Sequence, residues 1–224
     1  MKKAKIAEIF ESLQGEGIYA GVKQVFVRFF GCNLSCIFCD TPLKHFREYS
    51  PKALTKEISK FSDYHSLCFT GGEPLLQADF LRGFLEEFSA LKKKTYLETN
   101  GTLVSELLKI LDFVDIIAMD FKLPSTASCG SFWREHEEFL KASSGKDVFV
   151  KIVASQKTKD EDIVLAANII KRIKPDVAVV LQPHWRDVGG ALLDKMESYR
   201  QEFLNAGISK VGLFPQMHKS AGIK

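Results

Sequence analysis

Seven apolar, β-forming runs, at 24–30, 66–70, 95–99, 114–119, 148–153, 177–182 and 208–214, recur along the 224 residues. Helical patterns lie between most of them. This alternation constrains the fold more than any other feature, because strands joined through helices pair in parallel with the helices packed outside. Ser50 and Pro51 supply a cap and a first-turn proline for one helix. Residues 75–91 read as a second, with Leu76, Phe80, Phe84 and Phe88 on one face. Shorter helices are predicted at 105–111 and 132–142. Thr158 and Glu161 have capping-box spacing for another helix that ends before Pro175, and 191–205 forms the last, stopped by Gly207. No repeat, low-complexity tract or linker divides the chain, so a single α/β domain is expected.

The unusual polar residues follow the strands. Cys32 to Thr41 come after the first run, Thr70-Gly71-Gly72-Glu73-Pro74 after the second and Glu98-Thr99-Asn100 after the third. Asp120, Phe121 and Lys122 end the fourth, Gln182, Pro183, His184 and Trp185 the sixth, and Pro215, Gln216, Met217 and His218 the last. In β/α barrels the active site lies at the carboxyl ends of the strands.

Cys32, Cys36 and Cys39 are spaced C-x3-C-x2-C. Three thiolates are one fewer than a closed iron–sulfur cluster or zinc site takes, and an open position is where chemistry occurs. A structural zinc knot completed by His45 is the alternative on spacing alone. The five cysteines form an odd set suited to a reducing compartment rather than to disulfides. Cys68 reads as a small buried hydrophobe and Cys129 as an incidental thiol. A net charge of +3, with 26% charged residues, is too mild to indicate nucleic acid. No apolar run reaches the roughly 18 residues of a membrane span, and no apolar signal core follows the basic N-terminus. A cytoplasmic location is expected.

C-x3-C-x-aromatic-C, with Phe38 as the aromatic, resembles the signature of the radical S-adenosylmethionine (SAM) enzymes, and Gly71-Gly72-Glu73-Pro74 resembles their GGEP motif. The resemblance implies a partial (β/α)6 barrel and a [4Fe-4S] cluster on Cys32, Cys36 and Cys39. It also implies a SAM molecule chelated to the open iron and cleaved to a 5′-deoxyadenosyl radical. It places the SAM amino group at Gly72 and Glu73, and SAM contacts at Phe38, Cys39 and Asp40. Asp120, Phe121, Lys122, Gln182, Pro183, His184 and Trp185 fall where the family lines ribose and adenine.

Residues 11–17, with Arg28 and Cys39-Asp40-Thr41, are similar to the 7-carboxy-7-deazaguanine synthases, as is the tail at Pro215 to Lys219. That resemblance implies ring contraction of 6-carboxy-5,6,7,8-tetrahydropterin with loss of ammonia, begun by hydrogen abstraction at C6. It implies substrate contacts at Leu13, Gln14, Gly15, Glu16, Arg28 and Thr70, and Mg²⁺ held by Thr41 together with the substrate. An arginine fork suits a carboxylate better than lysine does. The division implied is a substrate-binding extension at 1–23 and a barrel at 24–224. A flavodoxin or ferredoxin as electron donor and a homodimer follow from the same likeness. Two other readings share parts of the pattern: an activase of a glycyl-radical enzyme, and a non-catalytic zinc or iron–sulfur protein.

Overall fold

The structure, a computed structural model, describes residues 2–39, 41 and 44–216. Asp40, Met217, His218 and Lys219 lie outside the described residues. The first strand comes earlier than the sequence pattern predicts. Residues ahead of the first predicted run form β1 (Ala4–Leu13), antiparallel to β2 (Lys23–Phe29) along almost its whole length. Ala4 and Ile6 are buried in the main core, but Glu8 and Glu11 interrupt the alternation further along. Gly15, Gly17 and Gly21 lie in the connection, where Gly21 N–H donates to the Gln14 carbonyl. Gly17 has a positive φ of 71°, and a Cβ there would lie 2.6 Å from the Phe149 ring.

A short β3 (Arg47–Tyr49) pairs with the other side of β1. Then come α1 (Pro51–Ile58), β4 (Ser66–Gly71), α2 (Ala78–Phe88), β5 (Lys94–Thr99), α3 (Val104–Ile110) and β6 (Ile116–Asp120). A small α4 (Pro124–Ala127) and α5 (Trp133–Ser143) precede β7 (Asp147–Ala154), α6 (Asp160–Ile173), β8 (Ala178–Pro183), α7 (Gly190–Asn205) and β9 (Val211–Leu213). The nine-stranded sheet has the order β3-β1-β2-β4-β5-β6-β7-β8-β9. Every pair from β2 to β9 is parallel. Among the described residues no strand joins β3 to β9, so this is an open, partial barrel.

The local signals have mixed outcomes. Ser50 accepts from Ala53 N–H as the predicted cap of α1. Phe80, Phe84 and Phe88 are buried in a stacked row. Leu76 leaves that row because a 3-10 turn at Pro74–Gln77 precedes α2, and it is exposed. Gly207 closes α7 with φ 92°, and Ile208 N–H reaches back to the Phe203 carbonyl. The expected capping box is not formed. Thr158 Oγ1 instead accepts from Ser155 N–H and bonds Thr126 Oγ1, 2.6 Å away. Helix α6 starts after Lys159, with Asp160, Glu161 and Asp162 in the first turn complementing its dipole.

Two cores result. The larger fills the space between sheet and helices. The smaller lies inside the sheet's curve, where Phe26, Cys68, Tyr96, Ala118, Phe149 and Val180 form one apolar layer. Cys68 is fully buried there, as its apolar surroundings predict.

Candidate active site

Side chains on a strand alternate between faces, so the residue two beyond each member of this layer faces the same interior, one layer nearer the carboxyl ends. Those residues are Arg28, Thr70, Glu98, Asp120, Lys151 and Gln182. Apolar packing thus gives way in one step to a polar floor. Above it opens a cavity of about 870 Å³, a size that accepts a cofactor and a small substrate together.

The floor is internally paired. Lys151 bonds Glu16 and lies 3.4 Å from Asp120, which also holds Lys122 at 3.0 Å. Burial works against the charge of Lys151, but Asp120, Glu16 and Glu98 outweigh it and hold the ammonium protonated. Lys122 behaves alike: burial opposes its charge and Asp120 restores it. Glu98 accepts from Thr70 at 2.5 Å and from Gln14 Nε2 at 2.8 Å, while Gln14 Oε1 accepts from Glu16 N–H. Gln216 donates to the second oxygen of Glu16. Glu8 holds Arg28 by Nε at 3.0 Å, and the guanidinium rests over the Phe10 ring.

The cysteine loop forms the opposite wall. Glu73 N–H donates to the Gly31 carbonyl and Gly72 N–H to that of Phe29, so the glycine turn is laid directly on the chain entering the cysteines. A Cβ on Gly72 would lie 2.0 Å from the Gly31 oxygen and 3.1 Å from Cys32 Cβ. Asn100 Nδ2 donates to Asn33 from the end of β5, and Ile37 N–H to the Ala127 carbonyl at the end of α4. Phe38 sits beside His184, with Lys122 Nζ 5.3 Å from its ring centre. Burial pushes the Cys32 and Cys36 thiols up. Metal ligation therefore has to displace protons.

Most of the residues chosen from sequence meet in this one cavity. Leu13, Gln14, Gly15 and Glu16 enter from the β1–β2 connection, and Arg28, Thr70, Asp120 and Gln182 from the strands. Cys32, Cys36, Phe38, Cys39 and Thr41 come from the cysteine loop, and Gly72, Lys122, His184 and Trp185 from the strand ends.

Three chosen residues stand behind the wall instead. Glu73 is fully buried and accepts from Leu75 N–H, Thr99 Oγ1 and Asn100 N–H, bracing the glycine turn against the end of β5. Burial raises its carboxyl to about 7, against the pull of those hydrogen bonds. Phe121 is buried on His136, ring centres 4.5 Å apart. Pro183 is buried while its strand continues in register with Ala154. Sequence reasoning left Glu98, Lys151 and Glu8 out of the site; counting two residues on from the apolar layer would have found the first two.

The donor set fits an iron–sulfur cube and a polar cofactor. Each of the three thiolates takes a different iron of such a cube, so the sulfurs must be spread. Among the described residues no three His, Cys, Asp or Glu side chains converge on a single ion. Asp120 Oδ1 and both polar atoms of Gln182 are buried without a hydrogen-bond partner among the described residues, although both side chains line the cavity. Native interiors satisfy such atoms, so they call for a polar ligand or water.

An open parallel β/α sheet that carries three cysteines after its first parallel strand, with a glycine turn packed on them, defines a radical SAM protein. Residues 26–175 match the Radical SAM superfamily. Over 98% of its length the chain is 33% identical to the 7-carboxy-7-deazaguanine synthase of Geobacter sulfurreducens, covering 97% of that protein. It is 34% identical over 99% of its length to the one from Archaeoglobus fulgidus, covering all of it. The crystal structure of QueE from Escherichia coli shares the fold with TM-score 0.65 and 18% identity, over 94% of this chain and 93% of that one. The chain belongs to the 7-carboxy-7-deazaguanine synthase family. It is a radical SAM enzyme, and the superfamily implies a [4Fe-4S] cluster and SAM.

Proposed function

We propose that this enzyme is a lyase that converts 6-carboxy-5,6,7,8-tetrahydropterin to 7-carboxy-7-deazaguanine with loss of ammonia, in 7-deazapurine biosynthesis. The observation that carries the reading is one cavity in which the cysteine loop faces a floor with a braced arginine on one side and carboxylates on the other. The names of the full-length relatives support it.

Cys32, Cys36 and Cys39 would hold the cluster. Gly72, Phe38, Asp120, Lys122, Gln182, His184 and Trp185, which line the same cavity, would frame SAM. When bound, cluster and SAM supply hydrogen-abstracting radical chemistry. The chain's own residues orient the substrate. Arg28, held by Glu8 and Phe10, presents its terminal nitrogens to the pterin carboxylate as a bidentate fork. Glu98 and Glu16 accept N–H groups from the aminopyrimidine edge; a carboxylate has about four lone-pair positions, and the observed partners do not use all of those on Glu98. Lys151 pairs with both Glu16 and Asp120 and so fixes where their oxygens stand. Thr41 would contribute one oxygen to a Mg²⁺ held together with the substrate, since Mg²⁺ is usually bound through few protein oxygens plus substrate. A flavodoxin- or ferredoxin-type donor, a homodimer and a cytoplasmic location belong to the same reading; among the described residues no helix is long and apolar enough to cross a membrane.

The test is anaerobic reconstitution followed by incubation with the carboxytetrahydropterin, SAM and a low-potential reductant. A deazapurine chromophore is expected. Arg28→Ala is expected to raise KM far more than it lowers kcat, with Arg28→Lys recovering only part of the loss. Unchanged pterin alongside cleaved SAM would defeat the assignment.

A further inference from the structure

We propose that Cys36 and Cys129 form a disulfide in the cluster-free protein, and that this bond blocks cluster assembly until it is reduced. Cys129 lies 93 positions from Cys36 in sequence, yet the two sulfurs are 3.5 Å apart. Their backbones are tied together next door, where Ile37 N–H donates to the Ala127 carbonyl at 3.1 Å. The approach is therefore built into the packing of the cysteine loop on the end of α4. Both residues are half-buried, open to a small oxidant.

The chemistry balances against a small-molecule disulfide such as oxidised glutathione. One cysteine thiolate attacks it, forming a mixed disulfide and releasing one thiol. The second cysteine then displaces the other thiol. The protein loses two electrons and two protons, and the external disulfide becomes two thiols. The product withdraws Cys36 from the set of three cluster ligands, and two thiolates cannot hold the cluster. In the loaded protein the Cys36 sulfur is engaged by iron and is not available for exchange. The pair thus reports whether the cluster is present, and it stores Cys36 in a reducible form rather than exposing it to irreversible oxidation.

The full chain without cluster is treated with oxidised glutathione, its remaining thiols are alkylated, and the digest is mapped by mass spectrometry. A Cys36–Cys129 peptide is expected, in a protein lighter by two hydrogens. Loaded protein treated alike should give none. Oxidised protein offered a preformed cluster on a scaffold protein, without free thiol, should lose cluster uptake, read as iron content, and regain it after reduction. Cys129→Ser and Cys129→Ala should form no intramolecular disulfide at Cys36. The proposal is overturned by a linkage among Cys32, Cys36 and Cys39 in its place, by mixed glutathione adducts alone, by unaltered uptake in the linked protein, or by the same two-hydrogen loss in both variants.

Discussion

Lys151 shows how a single residue sets the state of its neighbours. It is the shared cation of Glu16 and Asp120, all three mostly buried. Removing one partner of a buried ion pair costs about 3–5 kcal/mol, because the remaining charge is stranded. Lys151→Met should therefore lower the urea stability of the cluster-free protein by that order, well beyond the loss of a surface pair such as Arg134–Glu138. Glu73 and His136, both behind the cavity wall, predict a pH effect. Glu73 is raised to about 7 by burial, so its contribution is present at low pH and lost as pH rises from the usual carboxylate range through 7. His136 is lowered to about 4 by burial, against its bond to the Asn100 carbonyl; its contribution is present above its ordinary value and lost as pH falls towards 4. Each shift is worth about 3 kcal/mol at most, from 1.36 kcal/mol per pH unit. The two slopes oppose each other in the natural sequence. Urea midpoints between pH 4 and 7 should fall with rising pH in His136→Phe, and with falling pH in Glu73→Gln. Equal profiles in both variants would show that neither group titrates this way. The motif marked Glu73, but neither its burial nor that of His136 was legible, because burial on this scale is a tertiary property.

At the scale of elements, the glycine turn was legible as a motif, but the reason for its glycines was not. They are required by the cysteine loop pressed against them: backbone, not ligand, occupies the space a Gly72 Cβ would need. Gly72→Ala should therefore loosen the loop and lower the iron retained after reconstitution. Gly83 is a fit comparison, since it lies inside α2 with open space where its Cβ would be. Gly83→Ala should stabilise the protein by about 0.5–1 kcal/mol, the helix-propensity difference, and leave iron retention unaltered. Of the helices, those with a stripe or a cap read correctly from the chain; α4, with four residues, has no periodicity to read. The expected box at Thr158 failed because its hydroxyl found a better partner in Thr126, a contact between residues 32 apart.

For the whole molecule, the parallel half of the architecture was legible because each strand carries an apolar run and helices separate most of them. The antiparallel margin was not. Strand β1 carries Lys5, Glu8 and Glu11 and pairs on both edges, so it lacks the continuous apolar run of a parallel strand. This bears on whether residues 1–23 are an appendage or part of the frame. An appended substrate-binding arm would leave a stable barrel when removed. Strand β1 instead satisfies the edge of β2, adds Ala4 and Ile6 to the main core, and delivers Gln14 and Glu16 to the floor. Without it, β2 would become an exposed edge bearing Val25, Phe26 and Val27, an invitation to pair with other chains. Deleting residues 1–13 should therefore abolish cooperative thermal unfolding and drive the protein into aggregates, rather than yield a soluble barrel that merely fails to bind substrate. Sedimentation and near-UV circular dichroism of the shortened chain distinguish these outcomes. A monodisperse, cooperatively melting product would favour the appended-arm view.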